Sequence, residues 1–373
     1  MAQPIKQFWQ TLLAELKQGW AGLHLVLGVA IVSRFLHSLI TNSTLSRSIS
    51  EILIAVLLGL YLRNQLGLGE SLLAGVKFSI QKVLRFGIIL LGLRLSIQDV
   101  AATGVRALLL VLICITIALA FTYLIGRVFR VPPRLAALIG VGTAICGNTA
   151  IIAIAPVLEA DEEEVSFAVA TITLFGLLAV LFYPVIGHLI GLSDHLFGLW
   201  AGAAVNDTSQ VIAVGAIYSE AALNVATIVK LTRNTLMAPL IVLVGLVGLF
   251  GQRNRMSATA RQAARLNWTK LVPGFVVGFL MMSLLRSAGI ALGFLPQDVS
   301  NPGDLVLAAN LLKAFDQLSK FAILMALAGV GLNTNLASLR KLGIKPLIVG
   351  TGVAILLAVI SLVLILFTPL GAA

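Results

Sequence analysis

Several ingredients of soluble proteins and of common enzymes are scarce in this chain. Charged residues make up 11% of its 373 positions, under half of the roughly 25% usual in a soluble domain, too few to clothe a globular surface of this size. Cysteine occurs twice, as Cys114 and Cys146, both within apolar stretches. That excludes a disulfide framework and a Cys-rich metal site. The four histidines, His24, His37, His188 and His195, are too scattered to form an HExxH pair. No GxxxxGK[ST] loop occurs, which argues against ATP drive within the chain. The first twenty residues lack the uninterrupted apolar core and small-residue cleavage site of a signal peptide, so none is expected.

What fills the chain instead is apolar. Hydrophobic residues are 59% of it, against about 45–50% for a soluble domain even with glycine counted, and the mean hydropathy is +1.04. The bilayer is therefore the main solvent, and the fold class expected is an all-α polytopic membrane protein. The net charge of +11 invites a nucleic-acid partner. The basic residues, however, sit mostly in short loops between apolar runs, where they set topology against an anionic membrane face. Membrane lipid, not nucleic acid, is the partner this implies.

Residues 1–20 place Ile5, Phe8, Trp9, Leu12, Leu13, Leu16 and Trp20 on one helical stripe, with Lys6, Gln10, Glu15 and Lys17 mostly elsewhere. This reads as an amphipathic interfacial helix, or as one packed on the protein's own face. Residues 21–373 then read as a single transmembrane domain of about eleven segments, each near the roughly 20 residues that cross a bilayer. They lie at approximately 21–40, 51–67, 80–98, 104–127, 135–158, 164–190, 194–218, 222–250, 270–292, 306–333 and 344–369. The first half of the tenth carries Lys313, Asp316 and Lys320, and is either part of a span or an interfacial or re-entrant piece. Counting Lys and Arg on alternate sides gives seventeen against four, which puts the N-terminus in the cytoplasm and the C-terminus outside. Two faint self-matches suggest an inverted repeat. Residues 85–88 resemble 320–323, and 137–142 resemble 326–331; the two registers exclude each other.

Polar groups at membrane depth are costly unless they line a cavity or find a partner, so function is sought where they occur. In Gly140–Ala150, Gly142, Thr143, Cys146, Gly147, Asn148 and Thr149 interrupt the middle of a span. Glycine tolerates unwinding, and a half-helix N-terminus forms an anion site. Close helix packing by small residues is the plainer alternative. In Asn206–Gln210, five consecutive polar side chains (Asn206, Asp207, Thr208, Ser209, Gln210) stand at the centre of the seventh segment. A central Asp costs about 2.5–3.5 kcal/mol on insertion scales. Asp207 either accepts a proton, ligates Na⁺ with the hydroxyls of Thr208 and Ser209, or forms a structural ion pair. In the eighth segment Lys230 and Arg233 share a helix face with Asn234. They either meet an anion, snorkel to the interface or pair with Asp207. Two cations against one acid favour an anionic solute.

These segments resemble the sulfate exporter group of bacterial inner-membrane proteins, the YeiH group, from about Leu53 to Leu370. The likeness rests on Leu90–Ser96, Gly142–Ile151, Phe197–Val211 and Lys230–Arg233, in that order. One position departs: the residue before the Asp is usually His in that group and is Asn206 here. The resemblance implies a secondary transporter of sulfate or a related oxyanion. It also implies kinship with the bile acid, citrate and cation–proton antiporter architecture, whose broken helices cross at mid-membrane.

The expectation is therefore an ion-coupled carrier of a small anion in the bacterial inner membrane, with export the favoured direction, no cofactor and no enzymatic activity. Thr143, Asn148 and Thr149, with unwound backbone N–H groups, would contact the anion, Lys230 and Arg233 would supply positive field, and Asp207, Thr208 and Ser209 would handle H⁺ or Na⁺. A homodimer is a possible assembly. A passive anion channel is the first rival, set back by a lone titratable Asp. An intramembrane protease is the second, set back by the lack of a second acid or of HExxH.

Overall fold

A computed structural model describes residues 2–40, 50–237, 239–240, 243, 273–299, 301, 303–339 and 344–371. Regular structure among them is entirely helical. In chain order the helices are α1 (Ala2–Ile40), α2 (Glu51–Leu66), α3 (Glu70–Phe78), α4 (Leu84–Leu91), α5 (Ile97–Val128), α6 (Pro133–Ala144), α7 (Asn148–Leu158) and α8 (Glu162–Leu189). They continue with α9 (Asp194–Ala204), α10 (Thr208–Tyr218), α11 (Glu220–Thr235), α12 (Gly274–Ala291), α13 (Val306–Asn333), α14 (Leu336–Leu339) and α15 (Ile344–Phe367). A π-turn at Ser79–Val83 joins α3 to α4.

Among the described residues, six helices are long and apolar enough to cross a membrane: Ala14–Ile40 within α1, then α5, α8, α12, α13 and α15. Their lipid-type faces are plain. Val105 is 72% exposed and Leu189 80%, while Lys230 is wholly buried and Arg233 1% exposed. Apolar outside and charged inside is the reverse of a water-soluble domain. The other five segments read from the sequence are shorter or divided. The second is the 16-residue α2, the third holds the π-turn and α4 and is preceded by α3, the fifth is α6 and α7, and the seventh is α9 and α10. The eighth is described as helix through Thr235, and most of its remainder lies outside the described residues, as do Arg47 and the basic residues 253–270.

The chain forms two compact units, Met1–Ile97 with Gly278–Ala337, and Gln98–Val277 with Ser338–Ala373. In the first, Val26, Val29, Ala30, Ala55, Val76, Leu324, Ala328 and Leu332 form the core. Ser50 caps α2 by accepting from Leu53 N, and Gly67, at φ 58°, ends it in the left-handed conformation. α1 runs unbroken through residue 20. α13 is likewise continuous through Lys313, Asp316 and Lys320, so the re-entrant alternative gives way to a single helix. Its carboxylate is balanced locally: Asp316 lies 2.6 Å from Arg94 and 3.1 Å from Lys320.

In the second unit the acidic run 159–164 leads into α8, which starts at Glu162. Asp161 and Glu164 form a capping box there, with acids in the first turn where the helix dipole favours them. α9 is pinned by Trp200, whose indole donates to Ala358 O at 2.9 Å and stacks on Tyr183 at 4.2 Å.

Candidate functional site

The site is built from two interruptions. α6 begins at Pro133, where a missing N–H costs nothing, and stops at Ala144. Gly147 N donates to Gly142 O at 2.9 Å and Ile145 N to Val141 O at 3.1 Å, a reverse turn that closes the helix. Gly147 adopts φ 67°, ψ −127°, a conformation only glycine takes readily, and α7 starts at the next residue. The second interruption is extended: Val205 (ψ 138°) and Asp207 (ψ 144°) lie between α9 and α10.

The two interruptions abut. A β-carbon on Gly147 would stand 3.1 Å from the Cα, Cβ and Oδ2 of Asp207. Four helix ends therefore converge: the C-termini of α6 and α9 and the N-termini of α7 and α10. Each C-terminus leaves carbonyls without an intrahelical donor. α11 supplies the donors. Lys230 Nζ donates to Ile145 O at 2.8 Å, to Val205 O at 3.2 Å, and to Asn206 O. Arg233 Nε donates to Ala144 O at 2.8 Å, Nη1 to Ala203 O and Val205 O at 3.0 Å, and Nη2 to Thr143 O. The three acceptors of Lys230 match in number the three hydrogens of an ammonium group. Both cations thus bridge the two negative helix ends, with three donors of Lys230 and four of the five N–H groups of Arg233 on backbone carbonyls.

The N-terminal side is dressed differently. Asp207 caps α10, its Oδ1 accepting from Ser209 N at 2.9 Å and Ser209 Oγ at 2.7 Å. Gly147 leaves α7 with no side-chain cap, so the leading N–H groups at Asn148 and Thr149 are open to a guest. Asn234 Nδ2 reaches Thr208 Oγ1 at 3.3 Å. Around this place Asn148 Oδ1, Asn206 Oδ1 and Asn234 Oδ1 are buried without a hydrogen-bond partner. Such acceptors are rare without a bound water, ion or ligand.

Of the residues singled out in the sequence, Gly147, Asn148, Asn206, Asp207, Thr208, Ser209, Lys230 and Arg233 meet at this junction. Thr149 is exposed and Thr143 buried. Cys146 is 5% exposed, with its sulfur 3.4 Å from that of Met237. Gly142 is a packing position against Ile151 and Ile172. Gln210 turns away toward α8, where its amide fills the space a side chain at Gly176 would take and donates to Thr173 O at 3.5 Å. Gly176 and Thr173 carry no motif, and nothing in the sequence singles them out.

Broken helices meeting over buried charge, inside apolar helices that face outward, define a multi-pass helical membrane protein with a polar centre. Residues 21–350 match the family described as conserved hypothetical protein 698, and the chain belongs to that family. It is similar to a UPF0324 membrane protein of Bacillus cereus, 34% identical over 360 residues covering 95% of this chain and 98% of the relative. A UPF0324 membrane protein of Clostridium tetani is 32% identical over 89% of this chain and 92% of its own length. One of Streptococcus pneumoniae is 36% identical over 85% and 87%.

Proposed function

We propose that the protein is an ion-coupled secondary carrier of a small anion, with sulfate or a related sulfur oxyanion as the substrate class and export as the direction. The observation that carries this reading is the junction of four helix ends at Gly147 and Asp207. Each end holds about half an elementary charge, positive at N-termini and negative at C-termini, so the four cancel. Lys230 and Arg233 then stand against Asp207 alone, an excess of about one positive charge at a buried place.

In this reading the anion sits at the open N–H groups of α7, touched by Asn148 and Thr149. Thr143, Cys146 and Gly147 shape the turn behind it. Lys230 and Arg233 supply field through the carbonyls they hold, not by direct contact. Asp207, with Thr208 and Ser209, takes the coupling H⁺ or Na⁺, and the unpartnered amide oxygen of Asn206 is suited to a cation or a hydrogen-bond donor, while Gln210, turned toward α8, acts only by holding the start of α10. Neutralising Asp207 raises the local positive potential, so loading of the coupling ion and loading of the anion are thermodynamically linked.

The same reading takes the chain as eleven spans with an inverted repeat, N-terminus cytoplasmic and C-terminus outside, in a bacterial inner membrane as a homodimer.

The test is radiolabelled sulfate and sulfite flux in proteoliposomes, with and without pH and Na⁺ gradients, for wild type and Asp207→Asn. Saturable flux driven by one gradient and uncoupled by the substitution is expected. Flux indifferent to both gradients would make the protein a passive channel. Absence of flux for either anion, from folded protein, would sink the sulfur-oxyanion reading.

A further inference from the structure

A second cluster of cations lies in the first unit and shares no residue with the helix junction. Arg286, on α12, is 6% exposed. Its Nη2 donates to Gln297 O at 3.2 Å, and its Nη1 is buried with no hydrogen-bond partner. It borders a cavity of about 260 Å³ lined also by Leu93, Arg94, Val299, Leu312, Lys313 and Asp316. That is room for several water molecules at about 30 Å³ each.

The charges around the cavity do not balance. Asp316 is the one carboxylate among the lining residues, and it is engaged by Arg94 at 2.6 Å and by Lys320 at 3.1 Å. Arg286 and Lys313 have no carboxylate at ion-pair distance among the described residues. Asp298 and Asp304, in the segment that joins α12 to α13, are not among the lining residues. A buried guanidinium with an unused N–H is costly, because it has lost its water without gaining an acceptor. Arg is suited to oxyanions, since its planar fork offers paired donors to two oxygens at once.

The arrangement is held in place from both sides. Ser283 Oγ donates to Leu95 O at 2.8 Å and Ile97 N donates to Ser287 Oγ at 2.8 Å, which ties the turn bearing Arg94 to the helix bearing Arg286. Lys313 lies in the early turns of α13, where it is exposed and lines the cavity.

We propose that this cavity binds an oxyanion of sulfate or phosphate type, with Arg286 as the buried ligand, Lys313 as the exposed one and Arg94 steadied by Asp316. The ion is either free in solution or the phosphate of an anionic lipid. This site is independent of the transport reading, and binding is measured without flux.

Labelled sulfate is titrated onto the full chain in phosphatidylcholine nanodiscs, and the unfolding midpoint is compared in discs with and without phosphatidylglycerol. For a free ion, sulfate affinity falls about tenfold in Arg286→Gln, which loses a charge-assisted bond, and about threefold in Lys313→Gln, an exposed charge. For a lipid ligand, sulfate binding is weak, but phosphatidylglycerol raises the midpoint of wild type and not of the two variants. If Arg286→Gln fails to fold, Lys313→Gln decides, because its side chain is exposed. Sulfate bound at the helix junction would be lost in Asn148→Ala and kept in both arginine and lysine variants. That result, or no response to either sulfate or phosphatidylglycerol, overturns the proposal.

Discussion

Gly147 and Asp207 are sixty positions apart in sequence and in van der Waals contact in the fold: a β-carbon at Gly147 would lie 3.1 Å from three atoms of Asp207. The contact fits one helix interruption into the other. Gly147→Ala therefore carries two penalties, a backbone at φ 67° that an L side chain resists by about 1–3 kcal/mol, and displacement of the carboxylate. A lowered unfolding midpoint with loss of flux is expected. A midpoint equal to wild type would mean that the turn relaxes and that the close fit is dispensable.

Arg233 is the strongest stabiliser of the junction on geometric grounds, because one planar group reaches the carbonyls of Thr143, Ala144, Ala203 and Val205. Arg233→Lys keeps the charge and loses the fork, so several buried carbonyls lose their donor. We expect a loss of about 2–4 kcal/mol, read as a lower midpoint of thermal unfolding in detergent. Arg233→Ala is expected to be worse, near 3–5 kcal/mol or beyond, as a whole buried charge disappears from among aligned dipoles. A fully stable Arg233→Lys would contradict the bridging role.

Asp207 combines a cap and a charge, and the two can be separated. Asn retains an oxygen able to accept from Ser209 N, and it caps helices about as well as Asp, so Asp207→Asn should cost under ~1 kcal/mol. Its midpoint should stay close to wild type even where its flux loses gradient dependence. A large drop in stability would instead assign Asp207 to holding the break together.

Topology can be tested with the two native thiols left in place, since Cys114 and Cys146 are 3% and 5% exposed. Arg134 and Glu163 are exposed at opposite ends of the α6–α7 pair and the start of α8. With a membrane-impermeant maleimide, Arg134→Cys should label only from the cytoplasmic side and Glu163→Cys only from outside. The reverse pattern would invert the orientation drawn from the basic loops.

Much of the fold could be read along the chain because the responsible signals are local. Apolar runs such as 344–369 announce their helices by composition alone. The two interruptions announce themselves as well, since Gly142–Asn148 and Asn206–Gln210 are poor helix interiors wherever they occur. The tenth segment was ambiguous for a local reason too. Lys313, Asp316 and Lys320 look out of place in a span until Arg94, more than two hundred residues earlier, is seen beside Asp316.

By itself, then, the sequence determined the solvent, the helical class, the break positions and the identity of the buried charges. Each follows from residue chemistry within a window of one or two helical turns. Only the tertiary structure decided what those charges do. Lys230 and Arg233 end on carbonyls between 24 and 90 positions away, because α6 and α9 both terminate beside α11. Arg286 faces a cavity with Arg94 and Lys313 for the same kind of reason. Helix periodicity states which face a side chain is on; which helix end or cavity that face meets is set by long-range packing.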